Sequence, residues 1–200
     1  MSWFDKLRPK KSMELKQSHV GSMIAYHHHQ KPVWTPRRFD RLSQEGYQKN
    51  VIVYRCVNLI ARGIASVPWR LFENQEEVLR HPLLDLLHHP NPLQGGAALM
   101  EQVIAYMLLA GNSYIEAVQL NDPERSELYV LRPDRMRVIP SVSGIPQGYE
   151  YTVEDQKTVI PHISDHNGRC ILHLKMFHPL SVSYGQSPLE AAATAIDQHN

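Results

Sequence analysis

The tightest constraint on the fold is the stretch 50–73, NVIVYRCVNLIARGIASVPWRLFE. Val53, Val57, Ile60, Ile64 and Val67 recur at spacings of four, three, four and three, while Arg55, Asn58 and Arg62 share another side. That is the period of an amphipathic helix. Pro68 has no N–H to donate and biases Val67 toward extended backbone, so the helix is expected to stop just before it. Trp69-Arg70-Leu71-Phe72 then reads as the opening of a strand. The spacing predicts Val53, Val57, Ile60 and Ile64 buried, with Arg55 and Arg62 left to solvent or a neighbour. Pro68 and Trp69 mark the passage from helix to strand, a packing device rather than a reaction centre.

The remaining elements read as short. Residues 74–77 look like an acidic turn, and 83–87 like a brief helix with Pro82 near its start and Pro90 and Pro92 beyond its end. Residues 97–110 carry Leu99, Val103, Tyr106 and Ala110 along one stripe, with Gly111 and Asn112 as natural C-cap residues. Residues 113–120 alternate as a strand does, with Tyr114, Glu116 and Val118 on one face and Ile115, Ala117 and Gln119 on the other. Strands are also expected at 128–131, 136–139, 149–153 and 170–177. In Tyr184-Gly185-Gln186-Ser187-Pro188-Leu189-Glu190, Ser187 suits an N-cap and Pro188 the first helical position. Glu190, three residues beyond Ser187, completes a capping box. The helix expected after it meets no C-cap, so the chain reads as truncated. This order of elements fits an α+β class with mostly antiparallel strands, not regular βαβ alternation.

Composition narrows the class further. Two hundred residues, 42% of them hydrophobic, allow one domain with a tail. Residues 1–50 hold ten Lys and Arg against four Asp and Glu, whereas 51–200 hold eleven against sixteen. Residues 1–46 therefore read as a basic, mobile arm that docks on a neighbouring subunit through Trp3, Phe4 and Trp34, ahead of a domain at 47–200. Cys56 and Cys170 sit among apolar neighbours and read as two small buried thiols of a reduced, intracellular chain. No apolar run approaches the ~18–20 residues of a membrane span, and the N-terminus lacks the apolar core of a signal peptide, so no membrane partner is expected.

Reactive chemistry has little to stand on. There is no G-x-x-x-x-G-K-[ST], H-E-x-x-H, C-x-x-C or G-x-S-x-G pattern. The run His27-His28-His29 reads as a surface tract, and His81 and His88 as helix-terminus residues. His162, Asp165, His166, His173 and His178 supply the best metal spacing, and a metal-dependent hydrolase on His162, His166 and His173 is one alternative. Twelve histidines in this length produce such spacings by chance, and Asn167-Gly168 reads as a hairpin turn that projects Asp165 and His166 into solvent. Arg132, Arg135 and Arg137 suggest phosphate contact, but Asp134 among them favours a salt-bridged corner. A nucleic-acid-binding module using the basic arm is the other alternative. No catalytic, cofactor or metal residue is assigned.

The combination of YRCVNLIARGIASVPWRLFE, HPLLDLLHHPNP, LLAGNSYIEA, LYVLRPDRMRV and YGQSPLEAA resembles the N-terminal half of the portal protein of tailed bacteriophages. The likeness is to the branch found in prophages and gene transfer agents, and it covers roughly residues 46–200. It implies a wing-like α+β domain, with stem, clip and crown not visible, and a structural subunit of the virion assembled in the host cytoplasm. The ring, a dodecamer in typical members, sits at one capsid vertex. It would meet the major capsid protein, the terminase large subunit and the head–tail adaptor, and pass double-stranded DNA during packaging and ejection. The residues expected to hold such a domain together are Val53, Val57, Ile60, Ile64, Pro68, Trp69, Gly111, Asn112, Gly185, Ser187, Pro188 and Glu190.

Overall fold

The computed structural model describes residues 33–34, 42–119, 126–142, 145–163, 168–193 and 195–196. After a π-helical turn at Leu42–Tyr47, Asn50 starts α1 (Val51–Ala65). Its side-chain oxygen accepts from the N–H groups of Ile52 and Val53 at 3.0 and 3.1 Å, satisfying donors that have no partner inside the helix. Val67 N–H reaches back to Ile64 O at 3.1 Å, and Pro68 ends the ladder as its missing N–H requires. The following strand begins at Leu71, two residues later than expected. Strands β2 (Leu71–Glu73) and β3 (Glu76–Val78) form a hairpin through Asn74 and Gln75, at φ 48° and 73°. Positive φ at both central residues is the type I′ turn that matches strand twist, so half of the expected acidic turn is strand.

Two further helices follow, α2 (Pro82–His88) and α3 (Gly96–Ala110). His81 caps α2, its Nδ1 accepting from Leu83 N–H at 3.1 Å. Gly111 ends α3 at φ 71°, the left-handed conformation that glycine adopts without a Cβ penalty. Asn112 is not a cap residue but the first residue of β4.

Strand β4 (Asn112–Gln119) is the centre of a three-stranded antiparallel sheet, between β5 (Ser126–Leu131) and β9 (Cys170–Lys175). A second antiparallel sheet has the order β1-β6-β7-β8, from β1 (Val33–Trp34), β6 (Met136–Ile139), β7 (Gly148–Val153) and β8 (Gln156–Pro161). Thus Trp34, expected to reach a neighbouring subunit, pairs with Arg137 in β6 of its own chain. Trp3, Phe4 and the histidine run lie outside the described residues. Strand β8 was not foreseen, and it joins β7 through another pair of positive-φ residues, Glu154 and Asp155, at 46° and 65°. Strands β8 and β9 belong to different sheets and do not pair as a hairpin, and Asn167 lies outside the described residues. Asp165 and His166 lie outside the described residues.

The apolar side chains form three clusters that stack the layers. Tyr114, Met136, Val138, Tyr149, Ile160, Ile171 and Tyr184 fill the space between the two sheets. Leu99 and Val103 of α3 pack on Ile115, on the opposite face of β4. Strand β4 is therefore covered on both sides, which explains why residues 112–116 are all buried. The C-terminal half of α3 packs through Leu109 on Val53 and Val57 of α1, together with Ile196.

Two of the four expected core positions of α1 are corrected here. Val53 and Val57 are buried, but Ile60 and Ile64 are 46% and 44% exposed. The buried line is Val53, Val57 and Ala61, the last fully inaccessible, because α3 meets the helix over the small alanine. Cys56 is likewise exposed rather than buried, and Cys170 is half-buried. Arg62 pairs with Glu101 of α3 at 3.0 Å in an exposed bridge that contributes little. After Ser187, α4 covers Pro188–Ala191, and helical residues recur at 193, 195 and 196, where Ile196 N–H donates to Ala192 O at 3.0 Å.

Candidate functional site

The residues singled out near positions 111 and 185 meet at one buried junction. Gly111 and Gly185 approach backbone to backbone. A Cβ on Gly111 would lie 2.6 Å from Gly185 O, and one on Gly185 would lie 2.6 Å from Met176 N. Only glycine permits this approach. The gap is bridged by Met176 N–H, which donates to Gly111 O at 2.8 Å.

Asn112 fastens the junction. Its side chain is fully inaccessible and makes four polar contacts. The amide nitrogen donates to Ala110 O at 2.8 Å and Gly185 O at 3.2 Å, and the amide oxygen accepts from Gly185 N–H at 2.7 Å. Two carbonyls on one side and an N–H on the other fix which end of the amide points where. The fourth contact is His173 Nε2, 3.0 Å from the same oxygen. Because that oxygen only accepts, the proton of the neutral ring is on Nε2.

His173 is placed by register: it stands opposite Tyr114 across β4 and β9, and its ring stacks on the phenol at 4.3 Å. Tyr149 closes the group edge-on, 5.7 Å from the imidazole. Burial first, then Lys175 and His162, lowers the His173 pKa to about 3, which keeps it a neutral donor. Burial also raises Tyr149 to about 12 and Tyr114 well above its ordinary value. These groups are held in one protonation state. They act as fasteners.

The segment 184–188 adds three more ties. Tyr184 OH accepts from Val138 N–H at 3.0 Å, linking the junction to the second sheet. Ser187 Oγ donates to Leu108 O at 2.6 Å while accepting from Leu189 N–H at 3.1 Å, so the N-cap of α4 is welded to the last turn of α3. Pro188 occupies the first position of α4, and Glu190 lies in its first turn. A smaller clasp holds α2. Asn91 donates to Leu128 O at 2.7 Å, and Leu128 N–H donates to Pro90 O at 2.7 Å. Pro68 and Trp69 lie apart from both, on a groove of about 240 Å³ between the ends of α1 and α2 and the start of α3.

The metal reading does not assemble. His162 faces Tyr149 OH at 3.5 Å and His173 faces Asn112, and no group of three His, Cys, Asp or Glu converges among the described residues. The arginine corner is ion-paired as expected. Arg132 holds Asp134 with two bonds of 3.1 and 2.7 Å, and Glu150 lies 3.2 Å from Arg137 and 3.3 Å from Lys157.

The family model described as "Phage portal protein" matches residues 51–200. The chain belongs to the phage portal protein family. The match takes in all three helices before the junction, the junction itself and every described strand except β1. An uncharacterised protein of Rickettsia bellii is 38% identical over 162 residues, covering 80% of this portal-family chain and 41% of that relative. One of Rickettsia felis is 39% identical over 158 residues, covering 78% and 40%. The chain therefore spans about two fifths of the length of these curated relatives. Among solved structures, the neck of an empty gene transfer agent particle, computed with C6 symmetry, superposes with a TM-score of 0.77 at 42% identity, over 84% of this chain and 45% of the other. The neck of a native particle, computed with C12 symmetry, gives 0.72 at 41%, over 86% and 44%.

Proposed function

We propose that the chain is a structural subunit of a portal ring at the neck of a phage-like particle. The observation that carries this reading is the superposition on the gene transfer agent neck at 42% identity, over 84% of the chain. The physical character of the site agrees. The buried polar groups of Asn112, Gly185 and Ser187 are hydrogen-bonded within the chain, which makes a rigid wedge rather than a place where a substrate is bound. A ring subunit needs such a body, because each copy must hold its shape while two of its faces are gripped.

The finer parts of the reading follow from the resemblance. The ring is dodecameric, takes its place in the virion after assembly in the host cytoplasm, and meets the major capsid protein, terminase and a head–tail adaptor while double-stranded DNA passes through. The slightly acidic body over 51–200 supports passage rather than grip, since dense cationic contacts to phosphate are strong and salt-dependent. Residues 1–46 serve as an arm and 47–200 as the wing-like body. Negative-stain microscopy and mass photometry of the protein at its natural full length test the proposal. Rings with a central hole and a mass near twelve subunits are expected. A monomer at every concentration would refute it.

A further inference from the structure

The helix α1 is apolar over more of its circumference than its own domain covers. At about 100° per residue, Val53, Val57 and Ala61 occupy the covered sector. Ile60, Cys56, Ile52 and Leu59 extend the apolar surface from there, so that the whole arc spans about 200°, while Ile64 lies at the C-terminal end of the helix between the directions of Val53 and Val57 yet stays 44% exposed. Ile52 is 52% exposed and Leu59 76%, and Cys56 is exposed as well. The polar sector is the one tied to the chain. Asn58 donates to Tyr47 OH at 3.1 Å and to Tyr54 O at 2.7 Å, and Arg62 reaches Glu101. A helix that borders water ordinarily turns its charged side outward, and here much of the outward side is apolar.

Gly63 lies within this stripe, beside Leu59, Ile60 and Ile64. A glycine weakens a helix interior relative to alanine, yet a Cβ at Gly63 would meet nothing within 4 Å. Nothing in the described fold requires glycine there. It leaves a notch in an apolar ridge, the shape that receives a protruding side chain from a surface outside the described fold.

We infer that the Ile52–Cys56–Leu59–Ile60–Ile64 stripe of α1 is a docking face for a second copy of this chain. The inference rests on the ring reading above. In a closed ring the contact is head to tail, so every copy carries a face that its own core leaves open and that a different face of the next copy covers. The stripe contains no charged side chain, which disfavours nucleic acid as its occupant. It continues past the helix end through Val67, 66% exposed, into the groove beside Trp69.

The native thiol of Cys56 reports on the stripe directly. In the full-length protein, N-ethylmaleimide should alkylate Cys56 at least tenfold more slowly in assembled rings than in dissociated subunits. A benzophenone maleimide attached at Cys56 before assembly should give, on irradiation, a covalent dimer whose second peptide comes from another copy. Leu59→Glu should leave the melting temperature of the subunit within about two degrees and abolish rings. If wild-type rings form but Cys56 stays equally reactive, or the crosslink stays within one copy or joins a different protein, the stripe is not this interface. Leu59→Glu subunits that fold and still form rings overturn it equally. If the wild type forms no rings at all, the ring reading itself falls and takes this inference with it.

Discussion

Replacing Asn112 by alanine tests the buried junction most directly. The substitution strands Gly185 N–H and the Nε2–H of His173, and removes a partner from Ala110 O and Gly185 O, all in contact with a side chain that has no exposure. A buried donor left without a partner costs about 1–3 kcal/mol, while the two carbonyls, each with a second lone pair, lose less. Allowing for the desolvation that asparagine itself no longer suffers, the expected loss is about 3–4 kcal/mol, a large part of the roughly 5–15 kcal/mol that holds a domain. With a urea m-value of about 2 kcal/mol/M, the midpoint should fall by about 1.5–2 M with little change in slope. Asn112→Asp is the companion variant. It keeps the acceptor for Gly185 N–H and His173 but sets a carboxylate against two carbonyls, so near pH 7 it should be no more stable than the alanine variant. That carboxylate favours the imidazolium, so Asn112→Asp should gain on Asn112→Ala as pH falls below 6. A loss of under about 1 kcal/mol for Asn112→Ala, or parallel pH curves for the two variants, would show that the asparagine is not the fastener described.

Further outcomes follow from the same geometry. His173 is neutral in the fold down to about pH 3 but takes up a proton below its ordinary value of 6.5 once unfolded. The unfolded chain therefore binds more protons across that window, and stability should fall with acidification by up to about 1.4 kcal/mol per pH unit. His173→Gln, which can still donate to Asn112, should flatten this part of the curve in urea titrations at pH 7, 5 and 4. Gly185→Ala should cost more than about 3 kcal/mol, or prevent accumulation of folded protein, because its methyl meets backbone at Gly111 and Met176. Gly63→Ala, open on all sides, should raise the thermal midpoint of the dissociated subunit by the gain of roughly 1 kcal/mol in helix propensity. Ile60→Asp should cost less than about 1 kcal/mol in the dissociated subunit, whereas Ala61→Leu, at a fully covered position, should cost about 1–3 kcal/mol by overpacking.

The parts of this structure that were legible in the sequence are those set by neighbours along the chain. Gly111 after an apolar stripe, Ser187-Pro188 before an alanine run and Pro68 after Val67 each define a local backbone state, and each is found there. The junction itself joins partners far apart in the chain. Asn112 meets His173 across 61 positions and Gly185 across 73, a pairing that spacing alone does not encode. The signal that could have pointed to it was the alternation of β4, which puts Asn112 on the same face as Tyr114 and so toward whatever strand pairs beside it. The error at Ile60 and Ile64 has a different origin. Periodicity locates an apolar arc but not the sector that a neighbour covers, and on an arc this wide the small Ala61 carries no hydrophobic flag although it sits at the contact. Strand β8 escaped because Lys157, Thr158 and Val159 are all exposed, which erases the alternation that marks a strand with one buried face.

The core and the junction together make α3 the element through which the domain is coupled. Its first half packs on the three-stranded sheet through Leu99 and Val103, and its second half packs on α1 through Leu109. Its last turn is bonded to Ser187, and its terminal glycine is pressed against Gly185, next to the tyrosine that reaches the second sheet. Close-packed interiors transmit displacement rather than absorb it. In the proposed ring, a load applied by a neighbouring copy on the outer stripe of α1 would pass over Ala61 into α3, and from there into both sheets at the junction. This gives the four contacts of Asn112 a purpose beyond stability. A loose junction would let α1 shift against the sheets under load, and the ring would lose the fixed spacing between its inner and outer parts. Ser187→Ala, which removes the bond to Leu108 and the cap of Leu189 N–H without opening the core, should therefore leave subunits that fold and assemble but give rings with a broader spread of diameters. Rings of unchanged uniformity would mean that the Asn112 contacts alone carry that load.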